Sequence, residues 1–122
     1  MKTTCIIALA LTCSFEAQAQ YTYTTFSVPG ASATRAQGIS GNYIVGLYEY
    51  GNGPYNAFLY NIGSQTFSTI NEPGASLSVA TGISGNNIVG YTTAGGFLCD
   101  MNSQTYVNFT VPGASQTILM GI

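Results

Sequence analysis

Gly38-Ile39-Ser40-Gly41-Asn42-Tyr43-Ile44-Val45-Gly46 returns as Gly82-Ile83-Ser84-Gly85-Asn86-Asn87-Ile88-Val89-Gly90, changed only where Tyr43 becomes Asn87. Recurrence over this length makes the chain a repeat protein, and the rest of the sequence extends the unit in both directions. Upstream stands Pro-Gly-Ala-Ser, at Pro29–Ser32, Pro73–Ser76 and Pro112–Ser115, with spacings of 44 and then 39 residues. Downstream, Phe58-Leu59 matches Phe97-Leu98, and Ser64-Gln65-Thr66-Phe67 matches Ser103-Gln104-Thr105-Tyr106. A third Gly-Ile pair, Gly121-Ile122, keeps the register after the last Pro-Gly. The two spacings differ by five residues, and the extra ones fall between Gly46 and Phe58.

Each unit reads as short apolar runs cut by turn residues, the pattern of antiparallel strands. The first copy predicts strands over 36–39, 43–50, 56–62 and 66–70, with turns at Ser40-Gly41-Asn42, Gly51-Asn52-Gly53-Pro54 and Gly63-Ser64-Gln65. Four strands in about forty residues is the size of one propeller blade. The expected fold class is therefore all-β: about two four-stranded antiparallel blades of propeller type, plus a partial blade. Residues six before each repeated proline (Tyr23, Phe67, Tyr106) and three before it (Phe26, Ile70, Phe109) differ in parity. They belong to opposite faces of a strand, so both faces of each sheet want cover. Ala36 and Gly38, repeated as Ala80 and Gly82, are small where innermost strands of converging sheets would crowd together.

The chain opens with Lys2, an apolar run from Cys5 to Leu11, and Ala17-Gln18-Ala19. That is the layout of a secretory signal peptide, residues 1–19, followed by a β-repeat domain over 20–122. The apolar run is shorter than the ~20 residues a spanning helix needs, and no later stretch supplies one. Within 20–122 the repeat units are about 29–72 and 73–111, with partial strands at 21–28 and 112–122. Two blades do not close a ring. The expected partners are therefore further repeats of a longer array or copies of the chain itself, associating symmetrically as a homo-oligomer.

After residue 19 the only charged side chains are Arg35, Glu49, Glu72 and Asp100. Such a surface offers no basic stripe for nucleic acid or anionic lipid. Of three cysteines, only Cys99 lies beyond the signal peptide, so no internal disulfide is available to the domain. Its place corresponds to Tyr60 in a strand-like run, which predicts burial; an intermolecular bridge is the other reading.

These residues resemble the extracellular HAF repeats of exported bacterial proteins, named for a His-Ala-Phe signature. The resemblance spans nearly all of 21–122 and rests on the Gly-Ile…Gly-x-Ile-Val-Gly segment, the Phe-Leu segment and the Pro-Gly-Ala connector. Asn56-Ala57-Phe58 and Gly95-Gly96-Phe97 stand where the signature falls, both without its histidine. The resemblance implies a secreted or cell-envelope location, periplasmic or extracellular, and a repeat architecture; it carries no catalytic residues with it.

The chain has no histidine, which removes the commonest general base and metal ligand. Glu49, Glu72 and Asp100 occupy unrelated positions of the repeat, and the glycine-rich turns have neither the lysine nor the helix of a phosphate loop. The expectation is a non-enzyme without cofactor or metal. What differs between copies is the place to look for binding, because a scaffold must repeat and a binding loop need not. The five-residue extension groups Tyr48, Glu49, Tyr50, Asn52, Tyr55 and Asn56 near one loop. Tyrosine faces beside amides suit sugar rings or peptide backbone, whereas the plainer reading is an aromatic strand end capped by a turn. Two functions follow: an exported interaction scaffold, or a small carbohydrate-binding lectin that completes a β-propeller by oligomerisation.

Overall fold

The structure is a computed structural model and describes residues 19–122. The expected signal peptide, save Ala19, lies outside the described residues. The chain is all-β, as the repeat predicts. Strands β1 (Ala33–Ser40), β2 (Tyr43–Glu49), β3 (Asn56–Asn61) and β4 (Thr66–Thr69) form sheet 1. Strands β5 (Ser78–Ser84), β6 (Asn87–Thr92), β7 (Gly96–Asp100) and β8 (Thr105–Phe109) form sheet 2. Both sheets are four-stranded antiparallel meanders in sequence order. No closed ring is present among the described residues.

The two ladders superimpose residue on residue. Gly46 pairs with Phe58 and Gly90 with Phe97; Tyr60 pairs with Phe67 and Cys99 with Tyr106. Each first strand carries a bulge at the same place, between Ala36 and Gly38 and between Ala80 and Gly82. The bulge admits one unpaired residue, Gln37 or Thr81, and sharpens the local twist. It also brings a carbonyl over the second strand: a Cβ on Gly46 would strike Arg35 O, and one on Gly90 would strike Val79 O, each also within 3 Å of the ring of Phe58 or Phe97. Glycine is thus required there by close approach rather than by dihedral angle.

Both faces of sheet 1 are covered, as the parity of Phe67 and Ile70 predicts, whereas Val107 and Phe109 on the outward face of sheet 2 are 52% and 42% exposed. Ile44, Phe58, Tyr60 and Phe67 share what we term the near face of sheet 1 and pack with Phe26, Val28 and Ala31 of the leading segment. Phe26 stacks on Tyr60 at 4.8 Å between centroids, 3° from parallel. Val45, Ala57, Leu59 and Ile70 share the far face and pack on Ile83, Ile88, Phe97 and Cys99, which lie on the near face of sheet 2. Strand β5 lies against β1, β2 and β3, so the inner strands approach most closely. Along that line a Cβ on Gly38 would stand 3.2 Å from Gly82 Cα, and one on Gly82 would stand 3.3 Å from Gly121 Cα. Of the small residues read as crowding positions, Gly38 and Gly82 sit where β1, β5 and the segment around Gly121 meet and Ala80 is buried, whereas Ala36 is exposed.

Differences from the expected elements are local. Strand β1 begins at Ala33 rather than at residue 36, because Ala33–Arg35 find partners in Glu49, Tyr48 and Leu47. The flanking segments, expected as partial strands over 21–28 and 112–122, carry no strand. In the repeat their ladder partners belong to the next unit outward, and among the described residues no such strand lies beside them. They are held through side chains and isolated bonds instead: Thr81 Oγ1 donates to Leu119 O, and the Leu119 side chain lies over Gly96.

The Pro-Gly-Ala-Ser connectors repeat in atomic detail. Ala31 N donates to Val28 O at 3.0 Å, Ala75 N to Glu72 O at 3.1 Å and Ala114 N to Val111 O at 3.0 Å. The glycines have φ of 78°, 82° and 82°, the left-handed value that the third position of a type II turn demands. A hydroxyl locks each turn from below: Val28 N donates to Thr34 Oγ1, Glu72 N to Ser78 Oγ and Val111 N to Thr117 Oγ1.

Candidate functional site

The loop that distinguishes the two copies joins β2 to β3 through residues 50–55, where β6 and β7 are joined by residues 93–95. Tyr50 O accepts from Gly53 N at 3.0 Å, which closes the turn around Gly51 and Asn52. The loop leans on the first Pro-Gly turn: Ser32 N and Ser32 Oγ donate to Glu49 O at 2.8 and 3.0 Å, and Tyr50 Oη donates to Pro29 O at 3.5 Å.

The structure divides the six candidate residues into two sets. Tyr48 is buried on the near face, and its hydroxyl shares a 2.9 Å hydrogen bond with Thr69 Oγ1. Asn56 Oδ1 accepts from Asn71 Nδ2 at 2.8 Å, while Asn71 Oδ1 accepts from Ala57 N at 2.9 Å. This amide pair ties β3 to the connector that leads into β5. Both residues are therefore engaged in holding the fold. Tyr50 and Asn52 are exposed, and Glu49 and Tyr55 are half-buried. Tyr50 stands edge-on to Tyr48, with centroids 5.5 Å apart and planes at 83°, so packing fixes the one exposed aromatic face.

A second concavity was not legible in the sequence. Between the sheets opens a cleft of about 370 Å³ lined by Leu59, Ser68, Ile70, Asn71, Met101 and Tyr106, with Cys99 also in its wall. Ser68 signals it in retrospect, being the polar counterpart of Val107 one unit later. The cleft contains no charged lining residue. Among the described residues no three of Cys, Asp and Glu lie close enough to hold a metal ion.

Cys99 is buried, as its repeat position predicts. Burial raises the thiol pKa above its ordinary value; the hydrogen bond shared with Tyr106 acts the other way, and the neighbouring Asp100 adds to the rise. Burial also raises the Tyr106 phenol. Since the thiolate is the nucleophile, native Cys99 is expected to react with an aromatic disulfide reagent only as fast as the domain opens, and freely in urea. The sign of the pH dependence follows. Both groups hold their protons more tightly folded than unfolded, so their contribution to stability is intact below about pH 8.5, the ordinary thiol value, and declines as pH rises beyond it. A urea midpoint that falls between neutral and alkaline pH, and falls less in Cys99→Ala, is the expected result.

Comparison with family models, with curated proteins and with solved structures gives no match. Among the described residues no helix is long and apolar enough to cross a membrane, which says nothing of strands.

Proposed function

We propose that this chain is an exported, non-enzymatic repeat protein of the HAF type, an interaction scaffold of the cell surface or envelope whose two sheets are consecutive propeller-type blades. One observation carries the reading. Among the positions that recur, Gly46 and Gly90 lie under a carbonyl and a ring, Phe58 and Phe97 are buried, and the hydroxyls of Thr34, Ser78 and Thr117 accept internal hydrogen bonds. The one difference in length between the copies, five residues, falls at the largely exposed 50–55 loop. Repetition here serves stacking, which leaves the variable loop as the surface for a partner.

The test has two arms. Expressed with residues 1–19, the chain is expected outside the inner membrane with Gln20 as its first residue. The purified chain is expected to bind isolated envelope fragments, with binding lost in Tyr50→Ala and Asn52→Ala; retention in the cytoplasm, or envelope binding indifferent to both substitutions, overturns the proposal. The lectin reading is favoured by one observation, the 52% exposed Tyr50 ring fixed edge-on by Tyr48 in the same loop as the exposed Asn52. Binding to a single sugar class on a glycan array, lost in Tyr50→Ala, would replace the scaffold reading with that one.

A further inference from the structure

The near faces of both sheets are met by the preceding unit at the same place, and the two contacts are filled differently. On sheet 1 three rings come together: Phe26 stacks on Tyr60, and Phe67 lies 4.5 Å from Tyr60 and 6.0 Å from Phe26. Between sheets 1 and 2 the counterparts one unit later are Ile70 for Phe26, Cys99 for Tyr60 and Tyr106 for Phe67. The deeper ring contact is kept, with Phe97 5.8 Å from Tyr106 where Phe58 is 5.6 Å from Phe67. Of the three outer rings, the two that stack are missing from the second contact.

The sheets do not close over the difference. The cleft of about 370 Å³ lies at these positions, with Ile70, Cys99 and Tyr106 all in its wall. That volume stands at the lower end of the ~300–1,000 Å³ of small-molecule sites and above the ~150 Å³ that admits benzene to an apolar core. The wall suits a ring: Tyr106 offers an aromatic surface, and Met101 and Cys99 bring polarizable sulfur, which favours ring edges. It also selects against charge. No lining side chain carries one, and burial keeps the Cys99 thiol and the Tyr106 phenol protonated at neutral pH, so an ionised ligand would lose water and gain no counter-ion. The exposed Ser68 and Gln104 add a hydroxyl and an amide, able to hydrogen-bond one polar substituent.

We infer that this cleft binds a small neutral aromatic compound with one hydrogen-bonding group, of the indole or phenol class, its ring lying where the Phe26–Tyr60 stack lies in the preceding contact. The ligand completes against Tyr106 the cluster that Phe26 and Tyr60 complete against Phe67. The cleft shares no residue with the 50–55 loop, so this binding is independent of the scaffold reading.

Indole is the probe. The chain contains no tryptophan, so indole emission reports its own burial. Titration of the purified chain is expected to give a saturable blue shift with one site per chain, and indole is expected to raise the melting temperature. Cyclohexanol and glucose, rings without aromatic faces, are expected not to displace it. Ile70→Phe restores the ring that Phe26 supplies to the first contact and is expected to weaken indole binding by at least about tenfold, the worth of one good aromatic contact. Ser68→Phe fills the same space from an exposed position, so its fold is expected to survive even if Ile70→Phe overpacks; circular dichroism and a cooperative melt check both. Val107→Gln, on the outward face of sheet 2, is expected to bind as wild type. Four results overturn the inference: no saturable binding up to the solubility of indole, full affinity in a folded Ser68→Phe or Ile70→Phe chain, loss of binding in Val107→Gln, or displacement by cyclohexanol or glucose at matching concentration. Envelope binding through Tyr50 and Asn52 is measured separately and stands or falls without it.

Discussion

Replacing Gly90 with alanine is expected to remove a large share of the stability of the chain. The added Cβ would fall on Val79 O and within 3 Å of the Phe97 ring, and the carbonyl is backbone held by the bulge of β5. A ring can turn aside, whereas a carbonyl fixed by the ladder moves only if β5 shifts against β6. Overpacking against side chains alone costs about 1–3 kcal/mol. With backbone in the way, a loss of about 4 kcal/mol is expected, against a total on the order of 5–15 kcal/mol for a domain. Equilibrium urea unfolding measures it. Two comparisons make the result specific. Gly121→Ala, where the added Cβ meets nothing within 4 Å, is expected to stay within about 0.5 kcal/mol of wild type. Gly90→Ala combined with Phe97→Leu is expected to show no rescue, because it relieves only the ring contact. Rescue in the double variant would mean that the ring, and not the bulge carbonyl, dictates glycine at this position.

Phe97→Ala is expected to cost nearly as much, by a different route. Phe97 is fully buried at the contact between the sheets, beside Val45, Ala57 and Ile88, with the Tyr106 ring 5.8 Å away. Truncating a buried phenylalanine loses about 3–5 kcal/mol, and the cost is highest where the walls are held apart. Here the walls are two hydrogen-bonded sheets. The equivalent Phe58→Ala is expected to cost less, since Phe58 is roofed by Phe26 and Val28 on a segment outside any ladder, which is free to settle into the gap. Thermal melts of the two variants side by side would show it, each kcal/mol moving the midpoint by about 4–8 °C in a domain of this size. Equal losses would show that the leading segment is held as rigidly as a strand.

The repeat carried most of the architecture in the sequence. Because the period is long and the matches many, strand order, turn positions and the opposite-face placement of Phe67 and Ile70 could all be read without structure. What escaped was what depends on neighbours outside the period. Residues 21–28 have the pattern of a fourth strand, yet pattern alone cannot provide a ladder, and the segment packs by Phe26 and Val28 with no strand pairing. Within the candidate loop, Tyr48 is legible in the sequence as buried. It follows Ile44 and Gly46 by even steps, so strand alternation places it on the same packed face. Asn56 was not readable, because its partner Asn71 is distant in sequence and unmatched in the other copy, where Thr110 stands. The turn-locking hydroxyls of Thr34, Ser78 and Thr117 are legible too, since they recur at the same 44 and 39 spacing as the prolines above them.

The unequal hairpins at 50–55 and 93–95 have a practical corollary. Gly pairs with Phe at the same rung of both ladders, and the bonds below that rung are unaffected by how far the chain travels beyond it. Lengthening a flexible connection costs only about 0.6 kcal/mol per doubling. Foreign peptides grafted between Gly51 and Gly53 would thus be displayed from a rim that already tolerates variation, making this hairpin the natural port for engineering the molecule.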